Sequence, residues 1–283
     1  MNYQTLIDAQ SLAGLIHEPT LRVIDCRFEL GNPAYGRECF AKGHLPHSVY
    51  AHLEDDLSGP RLPWSGRHPL PDPVALAATL GALGIDADTQ VIAYDDGNGM
   101  YAARLWWLLR WLGHTRVAVL DGGLAAWRAA DGTLVTEQSQ PTPTRFIGRP
   151  TPDRHVTADD VAMGLEDERV LVLDARSAER FAGIIEPLDP RPGHVPGATH
   201  HFYGDNLDAS GRFRPADVLR ARFTQIFGSF QPDEVISMCG SGVTACHTLL
   251  ALEIAGLSGA RLYPGSYSEW CRDSARPVAL GPV

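Results

Sequence analysis

The feature that most restricts this chain is that it contains its own landmarks twice, in the same order. Leu21-Arg-Val-Ile-Asp-Cys-Arg27 returns as Val170-Leu-Val-Leu-Asp-Ala-Arg176, and Gly43-His-Leu-Pro46 returns as Gly193-His-Val-Pro196. Val91-Ile-Ala-Tyr-Asp95 is echoed by Val235-Ile-Ser-Met-Cys239, and Asp121-Gly-Gly-Leu-Ala-Ala-Trp127 by Tyr263-Pro-Gly-Ser-Tyr-Ser-Glu-Trp270. A period this long describes two whole domains, since solenoid repeats recur every 20–50 residues or so. The length of 283 residues suits two domains of average size.

Each copy alternates short apolar runs with helical patterns. Val23-Ile24, Val91–Tyr94, Val117–Leu120, Val170–Leu173 and Val235–Met238 read as strands covered on both faces, the mark of a parallel sheet. Helices are expected over Pro73–Leu83, Ala102–Leu112, Pro215–Phe223 and Thr244–Ala255. The fold class is therefore α/β, with two tandem domains, each a parallel sheet flanked by helices. The proline-rich polar stretch Thr136–Pro152 reads as a linker. That divides the chain into a first domain over 1–135, a linker over 136–152 and a second domain over 153–283.

In such sheets ligands bind beyond the carboxyl ends of the strands. At the equivalent strand ends the first copy has Asp95 and the second has Cys239. Only the second copy offers a nucleophile there. After Cys239 come Gly240, Ser241 and Gly242, and a helix should begin near Val243 or Thr244. Glycines let the main chain curl its N–H groups inward, and a helix start adds unpaired donors. Such a cradle stabilises a sulfur anion, and thiols at helix N-termini ionise more readily than free ones. The same donors would hold a persulfide, which makes Cys239 the candidate for covalent catalysis. A phosphatase of this loop type needs arginine six positions after the cysteine; here that residue is Ala245.

Composition narrows the classes further. A formal net charge of −10 argues against nucleic-acid binding. No apolar run long enough to cross a membrane and no secretory signal are evident, and the five scattered cysteines form neither a disulfide framework nor a zinc motif. A reducing cytoplasm, with no metal and no organic cofactor, is the expectation. Asp25 and Asp174, each two residues before an arginine, and His44 and His194 occur in both copies. They are expected to have structural roles, while Trp106, Trp107 and Trp111 should pack in a core or domain interface.

Cys239-Gly-Ser-Gly-Val-Thr-Ala-Cys246, both Gly-His-x-Pro elements, the Asp-x-Arg strand ends and Asp-Gly-Gly-x-x-x-Trp resemble the tandem rhodanese family, and the loop resembles that of its 3-mercaptopyruvate sulfurtransferases. The resemblance implies two rhodanese-like domains, the first without a nucleophile. It also implies sulfur transfer from 3-mercaptopyruvate through a Cys239 persulfide to a thioredoxin-like dithiol, a small thiol or cyanide. Gly240, Gly242, Val243 and Thr244 would form the loop that holds substrate. Arg180, in Arg180-Phe-Ala-Gly183, and Arg191, before the Gly-His element, match the family's substrate arginines. Ser241 would work in a relay with His68 and an acid at Glu54, where the family more often has Asp. Thiosulfate rhodaneses place basic side chains inside the loop, so the uncharged Gly240 and Ser241 favour a monoanionic donor. The alternatives are a thiosulfate sulfurtransferase and a non-catalytic persulfide carrier.

Overall fold

A computed structural model describes residues 1–281 and resolves into two compact units. The first comprises residues 1–59, 71–151 and 209–213. Its five strands are β1 (Leu6–Ile7), β2 (Leu21–Asp25), β3 (Val49–Tyr50), β4 (Gln90–Tyr94) and β5 (Val117–Leu120). They form one sheet in the order β1-β5-β4-β2-β3, with every pairing parallel. Around it run α1 (Ala9–Leu15), α2 (Tyr35–Lys42), α3 (Pro73–Ala82), α4 (Ala102–Trp111) and α5 (Gly123–Ala129). α3 starts where the sequence says it should: Pro73 needs no amide partner, and the Asp72 carboxylate accepts from Val74 and Ala75 N–H. All five residues of β4 are buried, as a central strand covered on both faces requires. Trp106, Trp107 and Trp111 of α4 are buried as well.

The second unit comprises residues 60–70, 152–208 and the chain from Arg214 onward. Strands β6 (Leu171–Asp174), β7 (Thr199–His200), β8 (Val235–Met238) and β9 (Arg261–Leu262) form a parallel sheet in the order β7-β6-β8-β9. Its helices are α6 (Ala158–Glu166), α7 (Ala178–Phe181), α8 (Ala216–Phe227), α9 (Thr244–Ile254) and α10 (Ser266–Trp270). The register repeats too: Asp25 lies opposite Tyr94 in one sheet and Asp174 opposite Met238 in the other.

The duplicated residues build the same struts twice. Arg27 and Arg176 each grip the aspartate two residues back, with Nη2 2.6 Å from Oδ2, and each donates to a glycine carbonyl, Gly43 or Gly193, at 2.8 Å. Both pairs are almost fully buried, a setting in which removing one partner strands a charge. His44 Nδ1 bonds the Phe40 carbonyl and His194 Nδ1 that of Phe181, each imidazole stacked on that phenyl ring at 3.8 Å. These are the structural roles expected of the repeated residues.

Two expectations about segmentation need correcting. The stretch read as a linker folds back on the first unit. Thr144 donates its amide to Gly81 and its hydroxyl to Ile85, while the amides of Arg149 and Thr151 bond the carbonyls of Leu112 and Trp111. The units also trade short pieces: residues 60–70 pack within the second and 209–213 within the first. Proline content marks where regular structure stops, but loop backbone still satisfies its hydrogen bonds where neighbours offer them.

Candidate active site

β8 ends at Met238, and α9 begins at Thr244. The five residues between them wrap around the Cys239 sulfur. The amides of Ser241 and Gly242 donate to Sγ at 3.4 and 3.1 Å. Gly242 has φ +78°, and a Cβ there would stand 2.5 Å from the Pro264 carbonyl oxygen, so the turn requires glycine. Val243, 5% exposed, caps α9, and Thr244 opens it.

The loop is fixed from outside by the start of α10. Tyr267 and Ser268 N–H groups hold the carbonyls of Cys239 and Gly240 at 2.9 Å, turning that face of the peptide chain away from the sulfur. The Cys239 amide donates to Ser266 Oγ at 3.1 Å, and that hydroxyl donates to the Tyr263 carbonyl. Ser266 holds φ +53°, an uncommon value outside glycine, in a fully buried position. Cys239 itself is 2% exposed.

The first unit carries a comparable loop with an anionic side chain in place. Asp95, 1% exposed, accepts from the amides of Gly97, Gly99, Tyr101 and Ala102 at 2.9–3.2 Å. Burial pushes its carboxyl pKa up, and the four amides pull it down. The Asp95 and Asp96 carbonyls are gripped by Leu124 and Ala125 N–H, as their counterparts are in the second unit. In both copies this turn is an anion cradle, filled by a carboxylate in one and presented to a thiol in the other.

Within the second unit, the segment 60–70 brings His68 to the loop. His68 Nδ1 lies 2.8 Å from Ser241 Oγ, with the imidazole 3% and the serine 8% exposed. The next residue back, Arg67, was not singled out by the sequence. Its amide donates to Ser268 Oγ, and its guanidinium pairs with Asp189. A Cβ on Gly240 would lie 2.8 Å from Arg67 Nη2 and 3.2 Å from Arg180 Nη1, so two guanidiniums face the loop at its glycine. Arg180 is held on its other side by Glu186, with Nη2–Oε1 at 2.8 Å, and by Asp189 at 3.1 Å.

Arg191 is engaged with main-chain carbonyls. It donates through Nε to the Cys271 carbonyl, through Nη1 to Arg276 and through Nη2 to Asp273, at 2.7–3.1 Å. Those contacts tie down the chain beyond α10 and engage all three nitrogens of the guanidinium with main-chain carbonyls. Glu54 lies exposed in the first unit, in the turn after β3, with its amide on His52 Nδ1 at 3.2 Å. Of the other cysteines, Cys246 donates its thiol to the Gly242 carbonyl at 3.3 Å and so braces the loop from α9. Cys26 and Cys246 are buried, and burial pushes the thiols of Cys26 and Cys271 up in pKa.

A thiol set in an amide cradle at a strand-to-helix turn, with a hydroxyl–imidazole pair beside it, defines a class of proteins that work through a covalent cysteine intermediate. The rhodanese-like domain family matches residues 8–130 and again 157–273, and the chain belongs to that family. It is 47% identical to a Pseudomonas aeruginosa protein named a probable 3-mercaptopyruvate sulfurtransferase, over 99% of this chain and all of that one. A Mycobacterium tuberculosis relative bearing a thiosulfate sulfurtransferase name is 40% identical, with 98% of each chain covered. Among solved structures, the 3-mercaptopyruvate sulfurtransferase of Escherichia coli superposes with a TM-score of 0.81 at 32% identity, covering 94% of this chain and 100% of that one.

Proposed function

We propose that the chain is a sulfurtransferase that takes sulfur from 3-mercaptopyruvate onto Cys239, releases pyruvate and passes the sulfur to a thiol or to cyanide. The observation that carries this reading is the pair of amides aimed at Cys239 Sγ with the Ser241–His68 pair beside them. The names of full-length relatives support it.

The chemistry balances without a cofactor. The Cys239 thiolate attacks the donor sulfur, an S–S bond forms, and the C–S bond breaks with its electron pair moving to carbon. The resulting enolate of pyruvate takes up the proton that was on the donor sulfur, which leaves a Cys239 persulfide. As negative charge gathers on the carbonyl oxygen, the Ser241 hydroxyl donates to it, and the hydrogen bond to His68 gives a path for a proton. Arg180 and Arg67, rather than Arg191, receive the donor carboxylate at Gly240, and the loop from Gly240 to Thr244 shapes the pocket floor. An acceptor thiolate then attacks the outer sulfur and regenerates Cys239. A thioredoxin-like dithiol or a small thiol is the assigned acceptor, and the cytoplasm is the compartment that keeps these thiols reduced.

Thiosulfate use is the second reading, favoured by the two guanidiniums at Gly240 and by the name of the Mycobacterium tuberculosis relative. Steady-state kinetics with each donor and cyanide as acceptor decide between them. A larger kcat/KM for mercaptopyruvate supports the first reading, the reverse order supports the second, and turnover of neither leaves a persulfide carrier.

A further inference from the structure

The loop around Cys239 is uncharged, yet its surroundings in the second unit are dense with charge. Arg67 arrives from residues 60–70 with a side chain 9% exposed and a buried Nε that has no hydrogen-bond partner. Arg180 arrives from α7. Asp189, its side chain 1% exposed, stands between them: one carboxylate oxygen takes Arg67 Nη1 and the other takes Arg180 Nη2 at 3.1 Å. Glu186 occupies the far edge of Arg180 and approaches Arg176 at 3.4 Å, and Arg176 is itself locked to Asp174. The guanidiniums of Arg67, Arg176 and Arg180 are thus matched by the carboxylates of Asp174, Glu186 and Asp189. Two cations face Gly240, and the group of side chains carries no surplus charge. Gly240 is what admits them, because a Cβ there would press on both guanidiniums.

We propose that Asp189 sets the donor specificity of this site: by bridging Arg67 and Arg180 it holds the charge at Gly240 balanced, so that a monoanionic sulfur donor is accepted and a dianionic one is turned away. The inference rests on the sulfurtransferase reading and deepens it. A monoanion brings one carboxylate to guanidinium edges already shared with acidic partners. A dianion brings a second negative charge toward the same buried acids with no unmatched cation to meet it, and in a poorly solvated pocket that difference is large. Arg67 is the adjustable member of the group, since it has a donor left over. Neutralising Asp189 leaves an excess positive charge at Gly240, which favours the dianion; neutralising Arg67 leaves an excess negative charge, which disfavours it further.

The test uses the full chain as wild type, Asp189→Asn, Arg67→Gln and the double variant. For each, kcat/KM is measured for thiosulfate and for mercaptopyruvate. Independently of turnover, alkylation of Cys239 by iodoacetamide is followed with sulfate as dianionic and pyruvate as monoanionic protectant. Asp189→Asn raises the thiosulfate-to-mercaptopyruvate ratio and the sulfate-to-pyruvate protection ratio by about tenfold or more. Arg67→Gln lowers both, and the double variant returns to within about threefold of wild type. Unchanged ratios in a folded Asp189→Asn protein, or single variants that move them in the same direction, overturn the proposal. Should Asp189→Asn fail to fold, Arg67→Gln decides alone: lowered ratios support the proposal and unchanged ones overturn it. A wild type that loads sulfur from neither donor refutes the sulfurtransferase reading, while the protection ratios still judge the role of Asp189.

Discussion

Replacing Gly242 by alanine puts a methyl group where the active-site turn has no room for one. The residue sits at φ +78°, and the added Cβ would stand 2.5 Å from the Pro264 carbonyl oxygen and 3.0 Å from its Cα. A left-handed alanine costs about 1–2 kcal/mol by itself. The overlap with backbone atoms then forces the turn to move, and with it the Gly242 amide that lies 3.1 Å from Cys239 Sγ. Losing one hydrogen bond to a charged group amounts to about 1.5–3 kcal/mol, which is roughly a 10- to 150-fold loss in the rate of sulfur loading. Gly228→Ala separates this effect from backbone strain. Gly228 also has a positive φ, +58°, but nothing lies within 4 Å of its Cβ position and it caps α8 rather than the loop. The assays are thermal melting of both variants and the single-turnover rate of persulfide formation, with alkylation of Cys239 as a parallel readout. Both variants melt lower, and only Gly242→Ala loses reactivity. A Gly242→Ala protein that loads sulfur as fast as Gly228→Ala refutes the view that this amide supports the sulfur.

Ser241→Ala lowers kcat on mercaptopyruvate about 10- to 100-fold with little change in KM, and adding His68→Asn costs less than about threefold more because the two act as one unit; steady-state kinetics on the single and double variants check this. Arg191→Ala leaves KM within about twofold but lowers stability by about 1.5–3 kcal/mol, whereas Arg180→Ala raises KM for mercaptopyruvate about tenfold or more, as donor titrations and urea melts of each will show. Stability also falls on mild acidification. Burial lowers the pKa of His114 and His201 in the folded chain. The unfolded state therefore takes up protons below about pH 6.5 while these imidazoles remain neutral, so the free energy of unfolding declines from pH 7 toward pH 5. Melting temperature against pH measures it, and replacing His201 by asparagine flattens the curve.

How much of this was legible in the sequence depends on how local each feature is. The two sheets, the strand that leads into Cys239 and the helix that begins at Thr244 follow from short apolar runs and from glycines, whose consequences act within a few residues. The duplication also separated structural residues from functional ones: whatever recurs beside Asp95 as well as beside Cys239 belongs to the scaffold, and the paired Asp–Arg and Phe–His contacts have that character. Arg67, Asp189 and Ser266 escaped notice because each reaches the loop from a distant part of the chain, and no periodicity marks a residue for such a meeting. Arg67 carried one faint signal, its place beside His68. The bonds that hold Arg191 are hidden from the sequence for a related reason. Its spacing matched a substrate arginine, but the carbonyls of Cys271, Asp273 and Arg276 needed donors, and no pattern in the sequence reveals that demand. The composition of residues 136–152 marks a linker but is silent about the open carbonyls of Gly81, Leu112 and Trp111 that residues 144–151 satisfy.

Sulfur transfer by this chain requires that the Cys239 sulfur accept and hold a second sulfur. Intact mass of the full chain after incubation with 3-mercaptopyruvate, followed by peptide mapping, tests it most directly. A gain of a single sulfur atom is expected on the peptide containing residue 239, removed by cyanide or by a thiol and absent in Cys239→Ser. An unchanged mass, or added sulfur that maps to Cys26, Cys39, Cys246 or Cys271 instead, contradicts it.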